Sequence, residues 1–125
     1  MTHPRPIRVG VVGLGRGQTF IDQSTPAVGM ELVALCDTWE ERLVEFGAAH
    51  DVATYTDFEK FLEHDMDAVV LANYFHEHAD FAIKALRAGK HVMSETAASF
   101  TPAQGAALVR EVERSGLIYM FADNY

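Results

Sequence analysis

The chain has 125 residues, enough for one domain with a buried core and too few for two. Hydrophobic residues make up 49% and charged residues 22%, the balance of an ordinary globular protein. Acidic residues outnumber basic ones 18 to 10 for a net charge of -8, and no basic run appears, which excludes the clustered positive surface that nucleic acid binding needs.

The first apolar run, Ile7–Gly13, follows the short polar start Met1–Pro6. It is too short for a signal-peptide core or a membrane span, so the expected address is cytoplasmic, with no membrane partner. Further β-branched or apolar runs come at Glu31–Cys36, Asp67–Ala72, His91–Met93 and Leu117–Phe121, with a shorter one at Val52–Tyr55. Between them the apolar residues fall at helical spacing: Trp39, Leu43 and Phe46; Phe58, Phe61 and Leu62; Ala79, Ile83 and Leu86; Gly105, Leu108 and Val112. Thr38 with Glu41, Thr56 with Glu59 and Thr101 with Gln104 each fit a capping box, and Pro102 stands at a first helical position. Gly89 and Gly116 follow two of the helices, where a left-handed closing residue is expected. Apolar strands alternating with helices predict an α/β fold, a doubly wound parallel sheet of the Rossmann type in three αβα layers.

The turn after the first strand reads Gly13-Leu14-Gly15-Arg16-Gly17-Gln18. Gly13 permits a tight turn, Gly15 lets backbone amides approach a pyrophosphate, and a helix opening near Arg16 offers the phosphates its positive end. The third glycine comes one place early, at Gly17 rather than at Gln18, so a structural turn without ligand also fits. Asp37 follows the second strand, 24 residues beyond Gly13. A carboxylate there accepts hydrogen bonds from both ribose hydroxyls of an adenosine and repels a 2′-phosphate, which favours NAD over NADP. Arg42, one turn into the next helix, can instead receive a 2′-phosphate; a strand-end or helix-capping Asp37 is the alternative without ligand. S-adenosylmethionine-dependent methyltransferases have a similar G-x-G-x-G turn, but the acid they carry two places before it is Val11 here.

From Asp67 the chain resembles the glucose–fructose oxidoreductase and inositol 2-dehydrogenase family (Gfo/Idh/MocA). The residues that carry the resemblance are Asp67-Ala68-Val69-Val70-Leu71-Ala72, His78 to Leu86, Ala88-Gly89-Lys90-His91-Val92 and Glu95. It implies that residues 1–125 are a dinucleotide-binding domain and that a second α/β domain, absent from this chain, holds a sugar, cyclitol or similar polyol and joins subunits into a homo-oligomer. It also implies that Gly13 and Gly15 hold phosphate, that Asp37 holds ribose, and that His78 and Glu95 stand at the nicotinamide half of the site. Asn73-Tyr74 replaces the family's usual Thr-Pro, and Glu95-Thr96-Ala97 replaces Glu-Lys-Pro. That lysine is the family's usual proton-handling group, and the Thr96 hydroxyl is too weak an acid or base to substitute. No catalytic residue is therefore assigned within this chain. Branches that lack the lysine are similar to NAD-dependent glycosidases or lyases, in which the cofactor oxidises and re-reduces one sugar within a cycle. A non-catalytic NAD-binding module is the further alternative.

The remaining candidates have plainer readings. His76-Glu77-His78 lacks metal-ligand spacing, so no metal site is expected. Cys36, His91, Trp39 and the phenylalanines are expected to be structural, and His50 and His64 to be solvated.

Overall fold

The computed structural model describes residues 5–14, 29–72, 78–95 and 102–122. In chain order these form β1 (Ile7–Val12), β2 (Met30–Cys36), α1 (Glu40–His50), β3 (Ala53–Tyr55), α2 (Phe58–Leu62), β4 (Ala68–Leu71), α3 (His78–Arg87), β5 (His91–Glu95), α4 (Pro102–Ser115) and β6 (Tyr119–Ala122). Every expected strand is present, with ends shifted by no more than two residues. The six strands make one sheet in the order β3-β2-β1-β4-β5-β6, and every pairing is parallel.

Side chains alternate across this sheet and so divide the core in two. On one face Val12, Val69, Leu71 and Val92 pack with Phe58 and Phe61 of α2, Ala82, Ala85 and Leu86 of α3, and Leu108 of α4. On the other, Val9, Val11, Leu35 and Val70 pack with Leu43 and Phe46 of α1. Burial of each such Leu or Phe contributes roughly 1.5–3 kcal/mol, which outweighs the modest propensities of the short strands. Gly10 lets α2 come close: a Cβ there would stand 2.6 Å from both Met66 Sδ and Phe61 Cζ.

Several local expectations are corrected. Trp39, not Thr38, precedes α1, and no side chain caps that helix. Asp57, not Thr56, caps α2, accepting the Glu59 amide, because a carboxylate one residue nearer the helix reaches its free N–H groups directly. Asp51, with φ 53°, closes α1 in the left-handed region, while Gly89 and Gly116 close α3 and α4 as expected. The Thr101 cap and the helix near Arg16 lie outside the described residues.

Trp39 is 55% exposed: a residue flanking the first turn cannot reach the core stripe that Leu43 fills. His64 is half-buried rather than solvated, with Nδ1 2.9 Å from the Tyr55 hydroxyl. His50 is half-buried too, its ring 6.2 Å from that of Phe46. His91 is structural, its Nδ1 accepting the Ile118 amide at 3.0 Å. Glu111, which sequence periodicity does not single out, is buried between helices and takes both Arg87 and Arg114. Among the described residues, no helix is long and apolar enough to cross a membrane.

Candidate functional site

In a parallel sheet all strands end on one edge, and a crevice opens there where the winding reverses direction. Here β1–β2–β3 run one way from the centre and β4–β5–β6 the other, so the reversal falls between β1 and β4. Val12 pairs with Cys36 on one side and with Leu71 on the other, which brings Gly13, Asp37 and Ala72 to one edge.

Hydrogen bonds hold this edge in place. The Ala72 amide donates to the Val12 carbonyl at 2.8 Å, and the Gly13 amide donates to the Cys36 carbonyl at 2.9 Å. Gly13 has φ 92°, a conformation side chains resist, and it turns the chain so that the Leu14 amide meets Asp37. Asp37 Oδ2 accepts from Leu14 N at 2.8 Å, and Oδ1 accepts from Trp39 N at 2.9 Å. The Asp37 amide itself donates to the Tyr55 carbonyl at 3.1 Å. The carboxylate therefore serves as a structural link between the end of β2 and the Gly13 turn, and it does not cap α1. A carboxylate accepts about four hydrogen bonds, however, and the two backbone amides leave two positions for a vicinal diol. The residues fit a ribose on that ground.

Arg42 projects from the first turn of α1, and its guanidinium carbon lies 4.9 Å above the Trp39 ring and 5.8 Å from the Phe46 ring. Cys36 is buried beneath the site, and burial, reinforced by the negative Asp37 and Asp57, pushes its thiol up to about 12. It stays protonated and is no nucleophile. His78 opens α3 and Glu95 ends β5; their backbones are described and their side chains are not. Gly15, Arg16, Gly17, Asn73 and Thr96 lie outside the described residues. Among the described residues no group of three or more His, Cys, Asp or Glu stands ready for a metal. A hollow of about 430 Å³ lined by Arg5, Ile7, Asp67, Met93, Ile118 and Met120 sits by the strand starts, at the opposite edge from Gly13 and Asp37.

Comparison with known proteins agrees with this fold. A family model described as an oxidoreductase family with an NAD-binding Rossmann fold matches residues 7–122. A protein of Bacteroides thetaiotaomicron named glycosyl hydrolase family 109 protein 1 is 35% identical over 107 residues, covering 76% of this chain and 23% of the relative. The chain thus spans about a quarter of the length of that curated relative. Among solved structures, the WlbA dehydrogenase of Bordetella pertussis in complex with NADH and UDP-GlcNAcA is 31% identical, with a TM-score of 0.82 over 94% of this chain and 36% of that one. Biliverdin reductase of Synechocystis in complex with biliverdin and NADP+ is 26% identical, with a TM-score of 0.78 over 93% and 37%. One of these neighbours holds NADH and the other NADP+.

Proposed function

The chain belongs to the Gfo/Idh/MocA oxidoreductase family, and from that premise we propose that it is the NAD-binding part of a longer enzyme acting on a sugar, cyclitol or related polyol. The observation that carries the reading is the Asp37 carboxylate, fixed by the Leu14 and Trp39 amides at the crevice with acceptor capacity left over. Bound there, a nicotinamide dinucleotide supplies hydride transfer. The residues of this chain bind and orient it: Gly13, Gly15, Arg16 and Gly17 at the pyrophosphate, Asp37 at the adenosine ribose, and Asn73, His78 and Glu95 towards the nicotinamide half.

NAD is favoured over NADP because a 2′-phosphate beside Asp37 meets a fixed negative charge. Substrate binding and the alcohol proton belong, in this reading, to residues beyond these 125, since position 96 is threonine. Calorimetric titration of NAD(H) and NADP(H) into the purified chain tests the proposal. Tighter NAD(H) binding supports it, and absence of dinucleotide binding removes it.

A second reading is favoured by two observations: Thr96, and a relative named as a glycosyl hydrolase. In it the cofactor oxidises and re-reduces one sugar within a cycle of glycoside cleavage or elimination, being itself reduced and then re-oxidised. In the longer enzyme, product formed without net NADH supports that reading, and stoichiometric NADH supports plain dehydrogenation.

A further inference from the structure

The sheet ends on two strands, β3 and β6, and these edges are not alike. An edge strand carries a row of unpaired backbone N–H and C=O groups, which proteins blunt with charge, proline, a bulge or extreme shortness. β3 is blunted: it has only three residues, Ala53–Tyr55, with Asp51 and Asp57 just outside it. At β6 the run Leu117-Ile118-Tyr119-Met120-Phe121-Ala122 has no charge and no proline. The Ile118 carbonyl accepts the Val92 amide at 2.9 Å and so faces β5. In an extended strand the N–H and C=O groups of Tyr119 and Phe121 then face outward.

Apolar side chains flank this edge on both faces of the sheet. On the face that carries Met93, Ile118 and Met120 are 61% and 52% exposed. On the other face lies α4, the crossover between β5 and β6. Glu111 of α4 turns towards Arg87 of α3, and Val109, two residues earlier, stands about 200° round the helix from it. Val109 therefore points away from α3, over the open side of β6, and it is 57% exposed.

We propose that β6 pairs antiparallel with β6 of a second copy of this chain, across a two-fold axis at Met120, and so joins the two sheets into one. The register is self-complementary. Tyr119 falls opposite Phe121 of the other copy, an aromatic cross-strand pair at the positions that exchange hydrogen bonds, and Ile118 falls opposite Ala122, large against small. Length and charge also single out a second copy. The three residues after Ala122 are too few to turn back and lie along β6. Each chain has a net charge of -8, and an uncharged edge is where two such chains approach at least cost. A strand pair alone falls short of the roughly 800 Å² per partner that a stable interface buries, and Val109, Ile118 and Met120 widen it. Pairing at this edge does not depend on dinucleotide binding.

Sedimentation equilibrium of the purified chain should show a concentration-dependent dimer at twice 13.8 kDa, tightening as sodium chloride screens the mutual repulsion. Met120→Lys sets two like charges at the axis and should leave a monomer with an unchanged thermal melt. Should that variant fail to fold, cross-linking decides. In Met120→Cys the new thiol meets its own copy within disulfide reach and should give a covalent dimer on mild oxidation. Val44→Cys, exposed on α1, should cross-link far more slowly, and the native Cys36 is buried. A monomer at every concentration up to about 1 mM overturns the proposal and leaves the edge to a segment of a longer protein. A dimer that persists in Met120→Lys, or Met120→Cys that cross-links no faster than Val44→Cys, places the contact elsewhere and overturns it too. So does growth beyond the dimer, which a closed two-fold contact forbids.

Discussion

Asp37 Oδ2 accepts the Leu14 amide across the edge of the sheet at 2.8 Å, joining the end of β2 to the first residue beyond the Gly13 turn. The same carboxylate takes the Trp39 amide at 2.9 Å, so one side chain fixes the entries to two successive connections. A ligand held by Asp37 therefore meets a turn and a helix start whose relative position is already set, which lowers the ordering cost of binding.

That double attachment makes Asp37 a stability residue as well as the proposed ribose ligand. Asp37→Ala leaves two backbone amides without their acceptor and should cost roughly 1–2 kcal/mol in urea unfolding. It should also reduce NAD+ affinity tenfold or more and narrow the gap between NAD+ and NADP+. Calorimetry with both cofactors, beside unfolding curves, checks the two effects separately. Unchanged selectivity would show that Asp37 only braces the turn.

Gly13→Ala tests the turn itself. With φ at 92°, any Cβ is strained, and the substitution should destabilise the fold by about 1 kcal/mol or more. NAD+ affinity should fall with it, since the Leu14 amide no longer meets Asp37 in the same place. A variant that melts normally and binds normally would show the turn to be tolerant.

Gly10 makes a different demand, for space. Its added Cβ would stand 2.6 Å from Phe61 Cζ, and Phe61 is fully buried, so neither side can give way cheaply. Gly10→Ala should lose about 1–3 kcal/mol while keeping NAD+ affinity within a few-fold. Adding Phe61→Leu should recover part of the loss, a coupling that a double-mutant cycle on unfolding free energies measures.

Glu111 predicts a pH dependence. The hydrogen bond from Arg114, then that from Arg87, holds its carboxyl below the ordinary 4.5. A lowered value in the fold means the contribution is complete above about 4.5, the ordinary carboxylate range, and is lost as pH falls below it. The stability difference between the unaltered chain and Glu111→Gln should be largest near neutral pH and shrink progressively in acid. Denaturant midpoints for both proteins across that range measure it; a constant difference would contradict the ion-pair origin.

Cys36, buried and with its thiol pushed up to about 12, should resist an aromatic disulfide reagent at pH 8 in the native chain. At that pH the thiol stays almost wholly protonated, and the thiolate is the reacting form. Reaction should follow unfolding by denaturant, and rapid native labelling would place the thiol nearer solvent.

Much of this molecule is written in short-range pattern. β-branched runs separated by helical spacing fix the order of elements, because a parallel strand pair requires a crossover between its members. Gly13 and Asp37 are legible for the same reason: both stand where an apolar strand stops, and parallel strands stop on one edge. Long-range pairing was needed for the rest. That Asp37 Oδ2 finds the Leu14 amide depends on the register of β1 against β2, which no local window contains. Trp39 has the spacing of a core residue and is exposed, because helical periodicity says which residues share a face and not whether the first turn overhangs the sheet. The burial of Glu111 was likewise settled only when α4 met Arg87 of α3, since a carboxylate enters an interface where cations from neighbouring helices converge on it. Sequence by itself determined the elements, their order and the two ends of the nucleotide motif, since these follow from local sterics and period. Tertiary structure decided which amides, rings and charges meet across those elements, since such contacts depend on packing between segments far apart in the chain.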